Sequence, residues 1–209
     1  MPARDRADVV RRARALLGRT ITGHGVTVRI TEVEAYGGVE DPASHAFTRT
    51  PRSEIMYGPA YRLYVYRSYG IHLCANVVTG PTEIGAAVLL RSGEVVDGID
   101  LARLRRNGPA KDVQLARGPG NLAQALGITL DDLGTDLLAE HDRDEQRTGV
   151  RLGPEPARRP RIASGPRVGV SKAADVPWRF WVEGDPTVSA YRRSPRAPAP
   201  STTLPAREH

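Results

Sequence analysis

A single cysteine, Cys74, stands in 209 residues. An internal disulfide and a zinc site built on cysteine pairs are therefore both excluded. Long apolar runs are missing as well: no segment approaches the ~18 uninterrupted apolar residues of a membrane helix, so no membrane partner is expected. The five histidines, at 24, 45, 72, 141 and 209, form no HExxH and no close pair. Neither a metal nor a cofactor is expected, although scattered His, Asp and Glu can still converge in space. Lysine is scarce, with Lys111 and Lys172 against 28 arginines. Met1 to Leu17 carries five arginines and two aspartates and lacks the continuous apolar stretch of a signal peptide. A soluble, cytoplasmic location is expected.

What is present points to one folded unit. A globule of this length buries about 70% of the surface its unfolded chain exposes, enough for a core and a pocket. The formal charge of +6 and the isoelectric point near 9.9 suggest a polyanionic partner. Half of that charge, however, comes from Arg192, Arg193, Arg196 and Arg207 against Glu208. Asp131 to Glu145 gathers seven acids, while 103–117 and 151–167 are rich in arginine. One face would then suit phosphates and another would not.

Periodicity predicts the elements. Asp5 to Leu17 places Val9, Val10, Ala13, Leu16 and Leu17 on one helical stripe that ends at Gly18. Val26, Val28 and Ile30 alternate with polar neighbours, as in a strand. By the same parity Glu34 would point to the buried side, at a cost of several kcal/mol unless compensated. Residues 37–60 form a long turn-rich connection of the kind that is more often functional than idle. Leu63 to Val78 reads as a hairpin with Tyr69-Gly70 in its tight turn. Gly85 to Arg91 is a buried strand, Asp100–Arg106 and Gly120–Leu126 are short helices, and Val168–Val170 and Arg179–Val182 are late strands. Short links make the strands mainly antiparallel with helices at the periphery, an α+β class. The predicted organisation is one domain over 1–190 and a proline-rich, disordered tail over 191–209.

Several side chains invite chemistry, each beside a plainer reading. Glu34 near a strand end is most simply a salt-bridged carboxylate, with Arg91 its partner in a structural ion pair. Burial together with an arginine also keeps a general base ionised yet desolvated. Tyr57, Tyr61, Tyr64, Tyr66 and Tyr69 crowd into 13 residues of a chain that is only 5% aromatic, with Tyr36 upstream. Strand propensity accounts for some of them but not for a tyrosine at a hairpin tip. A ring pushed outward there suits stacking on bases or wedging between them. Alone, His45 reads as a capping or hydrogen-bonded histidine, and Asn76 as a backbone-satisfying amide.

Taken together, these residues resemble the alkyladenine (3-methyladenine, methylpurine) DNA glycosylases. The likeness rests on TEVEAYGGVEDPASH at 31–45, TPR at 50–52, LYVYRSYGIHLCANV at 63–77 and AAVLLRS at 86–92. It continues in RGPGNLAQALGI at 117–128 and RVGVSKAADVPWRFWVEGDPTVS at 167–189. The resemblance implies a single compact domain with a curved, mainly antiparallel sheet and a hairpin directed at DNA. It implies an enzyme, acting as a monomer on double-stranded DNA near the nucleoid, that flips a damaged purine out and hydrolyses its glycosidic bond. Glu34 then activates water, Arg91 helps hold that water, and main chain around Val168 completes its site. Tyr36 and Tyr66 sandwich the base, His45 and Asn76 read its edges, and Tyr69 fills the gap in the duplex. With so few lysines, a monofunctional hydrolase leaving an abasic site is expected rather than a Schiff-base enzyme. Two rivals stay open: a non-catalytic nucleic-acid binder built on the tyrosine-rich hairpin, and a degenerate fold that has lost its water site.

Overall fold

The computed structural model describes residues 3–108, 111–139 and 149–199. The opening amphipathic segment forms helix α1 (Ala3–Leu16). Its stripe of Val9, Ala13 and Leu16 is buried with Leu17, and Gly18, at φ +84°, turns the chain out of the helix. Among the described residues nine strands follow, interrupted by two short helices. Strands β1 (Thr20–Gly23) and β2 (Val26–Gly37) form a hairpin, whose turn residues His24 and Gly25 both have positive φ. Next come β3 (Leu63–Ser68), β4 (His72–Val78) and β5 (Ala86–Asp97). Helix α2 (Ile99–Arg105), β6 (Ala116–Arg117) and α3 (Pro119–Leu126) continue the chain, and β7 (Val150–Leu152), β8 (Ile162–Gly165) and β9 (Arg179–Val182) complete it.

The strands pair in the order β3-β4-β5-β2-β1-β7, with β6 on β5, β9 on β2 and β8 on β9. Every pairing is antiparallel. The result is a curled half-barrel with three helices, the α+β domain expected. One face carries the core: Val33, Ala35, Val65, Ala75, Val77, Val88 and Leu90 pack with α1 and with Leu122, Ala123 and Leu126 of α3. Each fully buried Leu or Ile there contributes about 1.5–3 kcal/mol.

Two strand expectations need correction. Val168–Val170 is not a strand but part of a loop in which Gly169 takes φ +72°; the strand lies earlier, at Ile162–Gly165. The parity argument for Glu34 also fails in its reasoning. The β2–β5 register slips on either side of Glu32, a β-bulge that reverses the alternation. Val33 and Ala35 therefore continue the core face begun by Val26, Val28 and Ile30, and Glu34 turns to the opposite face. It is buried all the same.

That opposite face is covered by the connection between β2 and β3. Short 3-10 turns at Gly38–Glu40, His45–Phe47 and Glu54–Tyr57 give it shape. Ala46, Met56, Tyr57, Tyr64, Val78 and Ala87 make a second, smaller core beneath it. Ser44 Oγ accepts the Ala46 N–H at 3.1 Å, and Tyr57 donates to the Ala46 carbonyl at 2.8 Å. His45 sits between these two anchors. Beyond β9, Arg192 accepts from the Gly169 N–H at 2.9 Å and Arg193 pairs with Asp175 at 2.6 Å. Residues 200–209, the rest of the expected tail, lie outside the described residues, as do residues 140–148, which include His141 and the end of the acidic run.

Candidate active site

Strand register builds the site. Tyr64 lies opposite Asn76, Asn76 opposite Leu89, Leu89 opposite Glu34 and Glu34 opposite Arg179. One row of side chains thus crosses β3, β4, β5, β2 and β9. Above it opens a cavity of about 550 Å³ whose lining includes all eight residues singled out in the sequence: Glu34, Tyr36, His45, Tyr66, Tyr69, Asn76, Arg91 and Val168. Its size is that of an ordinary small-molecule site.

Glu34 has no exposed side-chain surface and faces three donors. Tyr36 donates its hydroxyl to Oε2 at 2.8 Å, Val168 donates its main-chain N–H to Oε1 at 2.7 Å, and Arg91 Nη1 lies 3.3 Å from Oε1. A carboxylate offers about four lone-pair sites, so these three donors leave one unfilled.

Arg91 does more than pair with Glu34. Its Nε donates to Glu32 at 2.9 Å, and a terminal nitrogen reaches Ser189 Oγ at 3.2 Å. Glu32, fully buried, also accepts from Arg179 Nε at 2.6 Å, Ser92 Oγ at 2.8 Å and the Ser189 N–H at 2.8 Å. Burial pushes the Glu32 carboxyl up, but Arg91 and Arg179 outweigh that and hold it below the usual range. Sequence reading missed this network, whose members are up to 157 residues apart. The one local signal was TEVE, two carboxylates in a stretch otherwise suited to a buried strand.

The walls are aromatic. Tyr64 and Tyr66 share a face of β3, with ring centroids 5.4 Å apart. His45 meets Tyr66 edge-on at 4.5 Å, and its Nδ1 is 3.0 Å from the Tyr64 hydroxyl. The cavity walls desolvate the imidazole although it borders open space, and Arg52 adds repulsion; its pKa falls to about 4. The ring is neutral at pH 7. Burial likewise raises the phenols of Tyr36, Tyr66 and Tyr64. Asn76 donates to the Tyr64 carbonyl at 3.1 Å. A second missed pair, Arg167 with Asp41, lies behind Tyr36: both are buried, 2.5 and 2.9 Å apart at their two contacts. Among the described residues no three His, Cys, Asp or Glu side chains converge where a metal ion could be held, and no helix is long and apolar enough to cross a membrane.

Beside the cavity the β3–β4 hairpin turns through Tyr69 at φ +49° and Gly70 at φ +71°. Tyr69 is 91% exposed and its neighbour Ile71 is 70% exposed. Arg52 and Arg67, both exposed, stand at the cavity lining.

A chamber of base size with stacking walls and a carboxylate floor suits work on a nucleobase outside its stack, and an unpacked tyrosine nearby suits the gap that base would leave. The class so defined is the DNA glycosylases. A family model described as methylpurine-DNA glycosylase matches residues 3–186, and the chain belongs to that family. A protein of Nocardia farcinica is 54% identical over 197 residues, 91% of this chain and 90% of its own. A protein of Mycobacterium leprae is 52% identical over 202 residues, 94% and 91% of the two chains. One of Mycobacterium tuberculosis is 53% identical over 198 residues, 92% and 94%. All three bear the name "Putative 3-methyladenine DNA glycosylase".

Proposed function

We propose that this chain is a monofunctional base-excision glycosylase in which Glu34 activates the attacking water. The observation that carries the reading is the fully buried Glu34 carboxylate, held by Tyr36, Val168 and Arg91 at the floor of an aromatic cavity. A damaged purine leaves the duplex at a cost of a few kcal/mol, least when it is already poorly paired. Tyr69 fills the vacated space, and the base enters the slot between Tyr36 and Tyr66. With His45 Nδ1 engaged by Tyr64, its Nε2 is free for the base edge or the backbone. Asn76 screens the purine edge from β4. Positive charge then develops on the sugar, and the Glu34 carboxylate both activates water and stabilises that charge.

Neither Lys111 nor Lys172 lines the cavity, which favours water over an amine as nucleophile. Every residue the reaction needs lies on one chain, which favours a monomer. The chain would work at the nucleoid, held by the duplex itself.

The test is single-turnover release of base from duplexes carrying 3-methyladenine, hypoxanthine or ethenoadenine, with alkali to reveal abasic sites. Glu34→Gln binds lesion DNA but loses about 10²–10⁴-fold in rate, the contribution of a positioned general base. Normal release by that variant removes Glu34 from the reaction.

A further inference from the structure

Arg167 stands behind the slot rather than in it. Its guanidinium carbon is 4.8 Å from the Tyr36 ring centroid and 5.5 Å from that of Trp178. The side chain is fully buried and does not line the cavity, whereas Tyr36 does. Tyr36 therefore separates a fixed cation from the space a base would occupy. The cation cannot swing away: both terminal nitrogens bind Asp41, and Nη1 also donates to the Ala35 carbonyl at 3.0 Å. Its Nε is buried and meets no hydrogen-bond acceptor.

An aromatic ring has one quadrupole, shared by its two faces. A guanidinium on one face draws π density toward itself and repels a second cation on the other. Asp41 balances the charge of the pair, but the member stacked on the ring is the cation. The other wall carries a related contact, with Arg52 4.9 Å from the Tyr66 centroid. Arg52 is exposed and can be displaced; Arg167 cannot.

Resting on the glycosylase reading above, we infer that Arg167 is a specificity-determining residue. By occupying the rear face of Tyr36 it lowers the slot's preference for positively charged alkylpurines, and so extends the substrate range to neutral purine lesions. The same ring that would select a cation by its π face is partly spent before the base arrives.

The test compares single-turnover rates on two duplexes, one with 7-methylguanine, a cationic base, and one with hypoxanthine, a neutral base. Removing the pair without leaving a buried charge, in Arg167→Met/Asp41→Asn, raises the cationic-to-neutral rate ratio about 2- to 30-fold, the span of one cation–π contact. Asp41→Asn alone leaves the guanidinium uncompensated and moves the ratio the other way. Arg167→Lys keeps the charge and stays near the wild-type ratio. Where the double variant does not fold, the sign of the Asp41→Asn shift decides. Equal losses on both substrates, with the ratio unchanged, mean a purely structural role and overturn the inference while leaving the glycosylase assignment intact. A wild-type protein that releases neither base overturns both.

Discussion

The main-chain N–H of Val168 donates to Glu34 Oε1 at 2.7 Å across 134 residues of sequence. It comes from a loop, and the loop is held by Gly169, at φ +72° with its own N–H bonded to the Arg192 carbonyl. A Cβ added at Gly169 would meet nothing within 4 Å, so Gly169→Ala acts through the backbone alone. Left-handed conformation costs a non-glycine residue about 1–2 kcal/mol. The expected outcome is a stability loss of about that size by denaturant titration, with a fall in the rate of base release as Val168 drifts from the carboxylate.

Glu32 does not itself line the cavity, yet it fixes Arg91, which does. Breaking a buried pair by removing one partner costs about 3–5 kcal/mol, and Glu32 serves two arginines. Glu32→Gln is expected to lose about 3 kcal/mol. Base release should slow by roughly 10²-fold, the effect of misplacing a catalytic group by about 1 Å. The pH dependence has a definite sign. In the folded chain the Glu32 carboxyl lies below the ordinary carboxylate value of 4.5, so its stabilisation is present above pH 4.5 and is lost as pH falls through the folded value. The variant should show a shallower acid limb in stability measured against pH.

How far the site was legible depends on how local its parts are. The hairpin was readable because Tyr64, Tyr66 and Tyr69 lie within it, where alternation and turn chemistry set their positions; Tyr36, His45 and Asn76 were grouped with them only through the family resemblance. Glu34 was assigned the right environment on an argument that the bulge at Glu32 invalidates, since a one-residue slip is invisible to period-2 counting. Glu32, Arg179, Ser189, Arg167 and Asp41 went unnoticed because each finds its partner through the topology of the sheet, not through spacing. The false strand at Val168–Val170 followed β-branched residues, and Gly169 overrode them. Strands β1, β7 and β8, of three or four residues each, are too short to carry a period.

His45 supplies a pH prediction of its own. Its folded pKa of about 4 lies below the ordinary 6.5 because the cavity walls desolvate the ring, although the residue as a whole is exposed, and then because Arg52 disfavours the imidazolium; contact with solvent makes the resulting slope shallow. Between those values the unfolded chain takes up a proton that the folded chain refuses, so stability falls as pH drops from 6.5 toward 4. His45→Gln should abolish that part of the slope. It should also weaken lesion binding at pH 7, measured by fluorescence anisotropy; unchanged binding would show that the ring contacts no base.

Tyr69 separates function from stability most cleanly. A residue 91% exposed at a turn contributes almost no packing, and at φ +49° its backbone is held where a glycine would be more comfortable. Nothing about folding asks for a tyrosine there. Tyr69→Ala should leave stability within about 0.5 kcal/mol, as surface substitutions do, while Tyr69→Gly should leave it unchanged or raise it by up to about 1 kcal/mol by relieving the left-handed strain. Both should lose base release. If the ring acts as a wedge, the loss should be larger on hypoxanthine in a stable pair than on the same base in a mismatch, because a wedge offsets an extrusion cost that a mismatch has already reduced. Equal losses on the two duplexes would mean that the ring touches DNA without taking part in flipping. Unimpaired release on both would remove it from the interface altogether.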